Sequence, residues 1–375
     1  MLTVKQNIEK IFLSVFRLIP LKQNRIAFIC YNCTQYSCNP KYITEYLYAH
    51  YGDRFELVWY YDKDSLADMI PDYVKKYKKN SLGYFITLST AAIIVSNVTL
   101  PRVVSFRKEQ KKINTWHGTA FKGDNNSHGN DYNRFDLFLA ENELTCNVLR
   151  KKNSFNYHGE ICKIGMPRND LLIKADKEKI SKVKKKLGIK AEEKMLLYAP
   201  TFRETKGSAP FHIDFESLKD SLRRRFGGEW IIAFRYHHMQ EGRSEVKGSI
   251  DLSSYPDMQE LLLVTDVLVT DYSSSIWDFS LKTRTDNLAP VLLYTEDYDQ
   301  YVSKERGNFF YPYEKLPFPI ARNNKELSDC IERLDEEFYI KAVEFYHAQW
   351  GRFNYKGNAT ARFVKDIILK NKDNE

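Results

Sequence analysis

Cysteine is scarce in this chain: six residues in 375, at positions 30, 33, 38, 146, 162 and 330. So thin a set excludes a disulfide framework and implies reduced thiols in a cytosolic setting. Cys30, Cys33 and Cys38 are clustered, but no second CxxC and no paired histidine completes four zinc ligands. No apolar run is long enough to span a bilayer, and no small-residue cleavage site follows the first apolar segment. These absences exclude a spanning helix and a secretory signal. Internal repeats, low-complexity tracts and zinc-finger or RNP-type signatures are also missing, so the basic residues do not read as a nucleic-acid module.

What the chain does have is 43% apolar content with 14% aromatics, enough for two buried cores at this length. A net charge of +8 points to an anionic partner, whether a phosphorylated substrate, a membrane surface or nucleic acid, and charge alone does not choose among them. Val4, Ile8, Ile11, Phe12, Val15, Phe16, Leu18 and Ile19 recur at helical spacing, with Lys5, Lys10 and Arg17 largely off that face, and Pro20 ends the pattern. The segment reads as an amphipathic helix that either lies in a membrane interface or covers the first domain.

From Arg25 onward, short apolar runs alternate with helical stretches. Ile26–Cys30, Leu57–Tyr60, Ala92–Val95, Ile113–Trp116, Leu137–Ala140 and Ile161–Ile164 read as one series of strands. Met195–Ala199, Trp230–Phe234 and Val267–Val269 begin a second, at the spacing of βαβ units. The expectation is an α/β chain of two Rossmann-like halves. Its parts would be an amphipathic helix over residues 1–22, a first domain over 23–175 and a charged linker over 176–193. A second domain over 194–340 would follow, then a helical segment over 341–375 that crosses back to the first.

In such sheets ligands bind beyond the carboxyl ends of the strands. Three consecutive strand ends in the second half lead into Pro200-Thr201-Phe202-Arg203, Arg235-Tyr236-His237-His238 and Thr270-Asp271-Tyr272-Ser273-Ser274-Ser275. Guanidinium groups and hydroxyls converging on one edge suit a diphosphate. Ser275 with Asp278 reads as a capping pattern opening a helix whose N-terminus favours phosphate. In the first half, Trp116-His117-Gly118-Thr119 ends a strand on a histidine. Neutral imidazole there suits a general base, and the glycine admits a substrate closely; the alternative is a histidine bonded to a loop carbonyl.

These stretches, with Gly165-Met166-Pro167-Arg168-Asn169-Asp170, Arg306-Gly307-Asn308-Phe309 and Asn39-Pro40-Lys41-Tyr42, resemble the ordered motifs of the CDP-glycerol glycerophosphotransferase family, the teichoic-acid primases and polymerases. The resemblance covers about residues 25 to 345. It implies a GT-B architecture, two Rossmann-like domains facing a cleft. The donor would be CDP-glycerol or a related CDP-polyol, and the acceptor a lipid-linked or polymeric glycan of teichoic acid or another cell-surface polymer. It implies His117 as base and His237 as the phosphate-facing histidine, although His238 stands where the family has proline. Substrate contacts would come from Gly118, Thr119, Arg168, Thr201, Arg203, Arg235, Ser273, Ser274, Ser275, Asp278 and Arg306. No cofactor or protein-held metal is expected, and Asp297-Tyr298-Asp299 reads as a surface turn. The working place would be the cytoplasmic face of the cell membrane, held peripherally by anionic lipid, with no nucleic acid involved. The rivals are a GT-B glycosyltransferase using a nucleotide sugar and a non-catalytic nucleotide- or polymer-binding protein.

Overall fold

Alternation of apolar strand-formers with helical segments builds two all-parallel sheets. The computed structural model describes residues 3–121, 131–174, 176–201, 203, 213–236, 249–284, 287–305, 309–353 and 356–370. The first sheet contains β1 (Lys22–Ile29), β2 (Glu56–Tyr61), β3 (Lys75–Lys78), β4 (Ala91–Ser96), β5 (Lys111–Asn114), β6 (Leu137–Ala140) and β7 (Glu160–Lys163). Their order is β3-β2-β1-β4-β5-β6-β7. The second contains β8 (Lys194–Tyr198), β9 (Trp230–Phe234), β10 (Ser249–Asp251), β11 (Val267–Thr270), β12 (Val291–Tyr294) and β13 (Ile320–Ala321), in the order β10-β9-β8-β11-β12-β13. The order in which successive strands are added reverses once in each sheet, between β1 and β4 and between β8 and β11. These are the switch points at which doubly wound folds bind ligands.

Both faces of each sheet are buried, which is why the strands read as apolar runs rather than as half-polar stripes. In β1, Ile26 and Phe28 enter one apolar cluster while Ala27 and Ile29 enter the other. β8 repeats this, with Leu196 and Tyr198 on one side and Met195 and Leu197 on the other. Phe363, Val364, Ile367 and Ile368, near the end of the described chain, join Ile26, Phe28 and Val95 in the first sheet's cluster. All four are at most 3% exposed. Burial of such side chains is worth about 1.5–3 kcal/mol each, enough to hold this segment on the first domain.

The N-terminal segment is less regular than its pattern predicts. An α-helix spans Val4–Leu13, opened by a Thr3–Gln6 capping box, and tightens into a 3-10 turn over Ser14–Leu18. Only Leu13 is buried in the first core, with Phe16 packed against it, while Arg107 donates to the carbonyls of Phe16 and Ile19. Val4, Ile8, Ile11, Phe12 and Leu18 are exposed, Leu18 by 83%.

Candidate active site

β5 ends at Asn114, and the chain then turns sharply: Trp116 is non-glycine yet sits at φ 51°. Asn114 Oδ1 accepts from Trp116 N at 2.7 Å, and Asn39 Nδ2 donates to the carbonyls of Thr115 (2.9 Å) and Trp116 (3.0 Å). Those bonds hold a conformation that costs about 1–3 kcal/mol for such a residue. The strained turn presents His117. Its Nδ1 lies 2.7 Å from the Asn97 carbonyl, at the end of β4, so in the neutral tautomer Nδ1–H donates there and Nε2 keeps its lone pair. The loop-carbonyl bond and the role of base are therefore compatible in one ring. Asn97 Oδ1 also accepts from Tyr31 N at 2.9 Å, which brings the end of β1 beside the histidine, the Tyr31 and His117 rings 5.6 Å apart.

Gly118 meets the second domain. A methyl group on it would stand 2.4 Å from Ser274 Oγ and 3.0 Å from Ser274 Cβ, so the WHGT turn and the serine turn touch only because this residue lacks a side chain. Ser274 precedes the short helix Ser275–Ser280, and Ser273 Oγ accepts from Ser275 N and from Ser275 Oγ.

Asp278 does not cap that helix: it accepts from Arg168 Nη2 at 2.8 Å, Asn169 Nδ2 at 2.8 Å and Gln259 Nε2 at 3.0 Å. The capping expectation is corrected, because a buried carboxylate three residues into a helix is taken by the stronger charged donor. Arg168 also donates to Cys38 Sγ at 3.1 Å, and its backbone N–H to Asn39 Oδ1. Burial opposes the Arg168 charge, but Asp278 outweighs it and holds the group above its ordinary value. Arg168 and Asp278 thus tie the domains together beneath the Gly118–Ser274 contact.

The strand ends of the second sheet are organised around Asp271, which is fully buried. It accepts from Thr201 N (2.8 Å), Thr201 Oγ1 (2.6 Å) and Arg203 Nη2 (2.8 Å). Arg203 Nε reaches Asp297 Oδ2 at 2.7 Å, and the guanidinium lies 4.8 Å from the centre of the Tyr301 ring. Asp297 is therefore no free turn residue: pairing with Arg203 and with the Tyr272 hydroxyl (3.1 Å) draws it inward, while Asp299 stays exposed. Arg235, after β9, is held differently. Its Nη2 donates to the Tyr255 carbonyl at 3.2 Å, and burial lowers its pKa against the opposing pull of Asp257 and Tyr31. His237, His238 and Arg306 lie outside the described residues.

Several positioning residues escape a reading of motifs. Lys41 crosses from the first domain to Asp257 (2.6 Å) and Glu260 (3.1 Å), and Tyr42 also donates to Asp257. Asn39 and Lys41 stand inside a motif the sequence displays; Asn97 and Tyr31 carry no signal beyond following strands.

The model of the CDP-glycerol:poly(glycerophosphate) glycerophosphotransferase family matches residues 11–369. The chain belongs to that family. A Staphylococcus aureus teichoic acid glycerol-phosphate transferase is 29% identical over 397 residues, covering 98% of this chain and 99% of the relative. A Staphylococcus epidermidis teichoic acid poly(glycerol phosphate) polymerase is 28% identical over 93% of this chain, which spans only 51% of that relative's length. A structure of the wall teichoic acid polymerase TagF, a variant soaked with CDPG, superposes with a TM-score of 0.83 at 27% identity, covering 98% of this chain and 94% of that one. The two Rossmann-like domains are thus those of a TagF-like, GT-B-type fold.

Proposed function

We infer that this chain carries the activity of its family, moving glycerol phosphate from CDP-glycerol to an acceptor hydroxyl in teichoic-acid synthesis. In this reading the acceptor oxygen attacks the β-phosphorus, the bond from that phosphorus to the bridging oxygen breaks, and CMP leaves. His117 Nε2 takes the hydroxyl proton, with Nδ1–H anchored on Asn97. Arg235 and the hydroxyls of Ser273 and Ser274 offset charge on the diphosphate, together with His237 and Arg306. Thr119 and Ser275 line the same approach; Thr201, Arg203, Arg168 and Asp278 act from behind, holding the strand ends and the two domains in register. The observation that carries this reading is the contact of Gly118 with Ser274, which sets the base of one domain against the hydroxyl turn of the other. Measuring CMP release across a panel of CDP-polyols tests it, and identifies the polyol.

The acceptor is a polyol-phosphate polymer or a lipid-linked precursor, and the protein works at the cytoplasmic face of the membrane. Support comes from the exposed stripe of Val4, Ile8, Ile11 and Phe12 on a helix carrying Lys10, with a chain charge of +8. Among the described residues no helix is long and apolar enough to cross a bilayer. Ile8→Glu with Ile11→Glu should abolish co-sedimentation with anionic vesicles without altering donor binding; unchanged sedimentation would remove the membrane from this account.

A further inference from the structure

β1 leaves the first sheet at the switch point beside β4, and the turn that follows it is strained. Tyr31, Asn32 and Cys33 stand at φ 43°, 56° and 74°, three consecutive non-glycine residues in the left-handed region. Asparagine tolerates that conformation, whereas a bulky tyrosine there is an outlier. The surroundings impose it. Tyr31 N donates to Asn97 Oδ1 at 2.9 Å, Cys33 N to the Cys30 carbonyl at 2.8 Å, and Asp62 N to the Cys33 carbonyl at 2.8 Å. Thr34 Oγ1 donates to the Tyr31 carbonyl at 2.6 Å. Strain held in this way gathers at active sites, and glycine would meet it at no steric cost. Tyrosine at this position is therefore explained by its side chain, not by its backbone.

That side chain has two parts. Its ring packs against the first sheet's apolar cluster and stands 5.6 Å from the His117 ring, tilted at 57° to it. Phenylalanine would serve both contacts equally. The hydroxyl is left over: it faces the Cys38 thiol, a weak acceptor, and among the described residues it bonds to no oxygen or nitrogen. Tyr31 is half-buried rather than sealed, unlike Cys30, Cys33 and Cys38 around it. Positive charge acts on the hydroxyl from both domains, Arg168 from the first and Arg235 from the second. Arg168 is committed to Asp278, while Arg235 is one of the groups assigned above to the diphosphate. Burial and the neighbouring Cys38 push the phenol well above its ordinary pKa, so it stays protonated and able to donate.

The phenol thus stands beside the base and within electrostatic range of an arginine that faces the diphosphate. What passes between those two groups in the transfer is the phosphoryl group, whose non-bridging oxygens carry negative charge and accept hydrogen bonds. We propose that Tyr31 is a further catalytic residue of the transfer, its phenol O–H donating to one of those oxygens as the phosphorus moves from the bridging oxygen to the acceptor oxygen. Tyr31 keeps its proton throughout. His117 takes the proton of the acceptor hydroxyl, and the electron pair of the broken bond leaves with CMP. A donor fixed in advance by a rigid turn needs no reorganisation as charge redistributes, which gives the strained backbone a purpose. The assignment rests on the transfer reaction inferred above.

The test compares the full chain with Tyr31→Phe, which keeps the ring, the backbone and every hydrogen bond of the turn. Tyr31→Gly, suited to the left-handed backbone, serves if that variant misfolds and should lose at least as much. At saturating acceptor, kcat for CMP release from CDP-glycerol should fall about 10–100-fold in Tyr31→Phe, the effect of one preorganised donor. Calorimetric affinity for CDP-glycerol and the acceptor KM should stay within about 2-fold of wild type, since the bond forms in the transition state. Sulfur accepts hydrogen bonds weakly, so CDP-glycerol with sulfur at the contacted β-phosphorus oxygen should slow wild type more than it slows Tyr31→Phe. Turnover of Tyr31→Phe within about 2-fold of wild type, a loss confined to the acceptor KM, or equal slowing by sulfur in both proteins overturns the assignment and leaves the transfer reaction standing. Absence of CMP release by wild type with every acceptor would instead overturn the transfer reaction, and the role of Tyr31 with it.

Discussion

Gly118 and Ser274 approach so closely that a single added methyl would stand 2.4 Å from the serine oxygen. In Gly118→Ala the Ser274 hydroxyl must rotate away, and Ser274 Cβ, 3.0 Å from the added methyl, must give by a few tenths of an ångström. A misplacement of about 1 Å between base and reacting phosphorus costs roughly 100-fold in rate, so this smaller shift together with the displaced hydroxyl should lower turnover by about 10-fold. Adding Ser274→Gly should restore part of the loss in spacing by removing both offending atoms. Steady-state kinetics on the single and double variants checks this; a double variant no faster than Gly118→Ala would mean that the contact does not set the spacing.

Arg203 is expected from its sequence position to bind phosphate, yet two carboxylates, Asp271 and Asp297, already hold it. Arg203→Ala leaves Asp271, wholly buried, without its cation. Breaking a buried pair from one side costs about 3–5 kcal/mol. Denaturant titration should therefore show a large loss of stability, and Arg203→Lys a smaller one. A variant with wild-type stability and weakened CDP-glycerol binding would return this arginine to direct phosphate contact.

Acid should loosen the molecule in two stages. His347, neutral in the fold at a pKa of about 3, gains its charge in the unfolded chain near 6.5, so its contribution is present above pH 6.5 and is lost progressively as pH falls toward 3. Burial raises Glu260, but Lys41, the Tyr255 hydroxyl and Lys179 outweigh it and hold the carboxyl at about 2. Its contribution is present above about 4.5 and is lost between there and 2. Thermal midpoints measured across pH should flatten between pH 6.5 and 3 in His347→Gln and between pH 4.5 and 2 in Glu260→Gln. Parallel curves for all three proteins would contradict both assignments.

Much of the fold is legible in the sequence because fully buried parallel strands are continuous apolar runs: β1, β6, β9 and β11 fall close to their expected positions. β3, with the sequence Lys-Lys-Tyr-Lys, and β10 are edge strands with no apolar pattern, and β13 is two residues long, so none announces itself. β12 has the same buried character as β11 but no counterpart in the expected series, which stops at Val269. The site divides in the same way. His117, Gly118 and the serines stand out by their strand-end positions. Asp278 reads locally as a cap, and only the fold reveals its partner Arg168, 110 residues away. Asn97 and Asn39 act through contacts between distant turns, which local patterning does not encode.

The central claim is that His117 removes the acceptor proton while the second domain holds CDP-glycerol. The most direct measurement is CMP release by His117→Ala alongside calorimetric titration of the same variant with CDP-glycerol. A general base contributes about 10²–10⁴-fold, so turnover should fall within that range while donor affinity stays within about 2-fold of wild type. Near-normal turnover, or lost turnover fully explained by lost donor binding, would contradict the account.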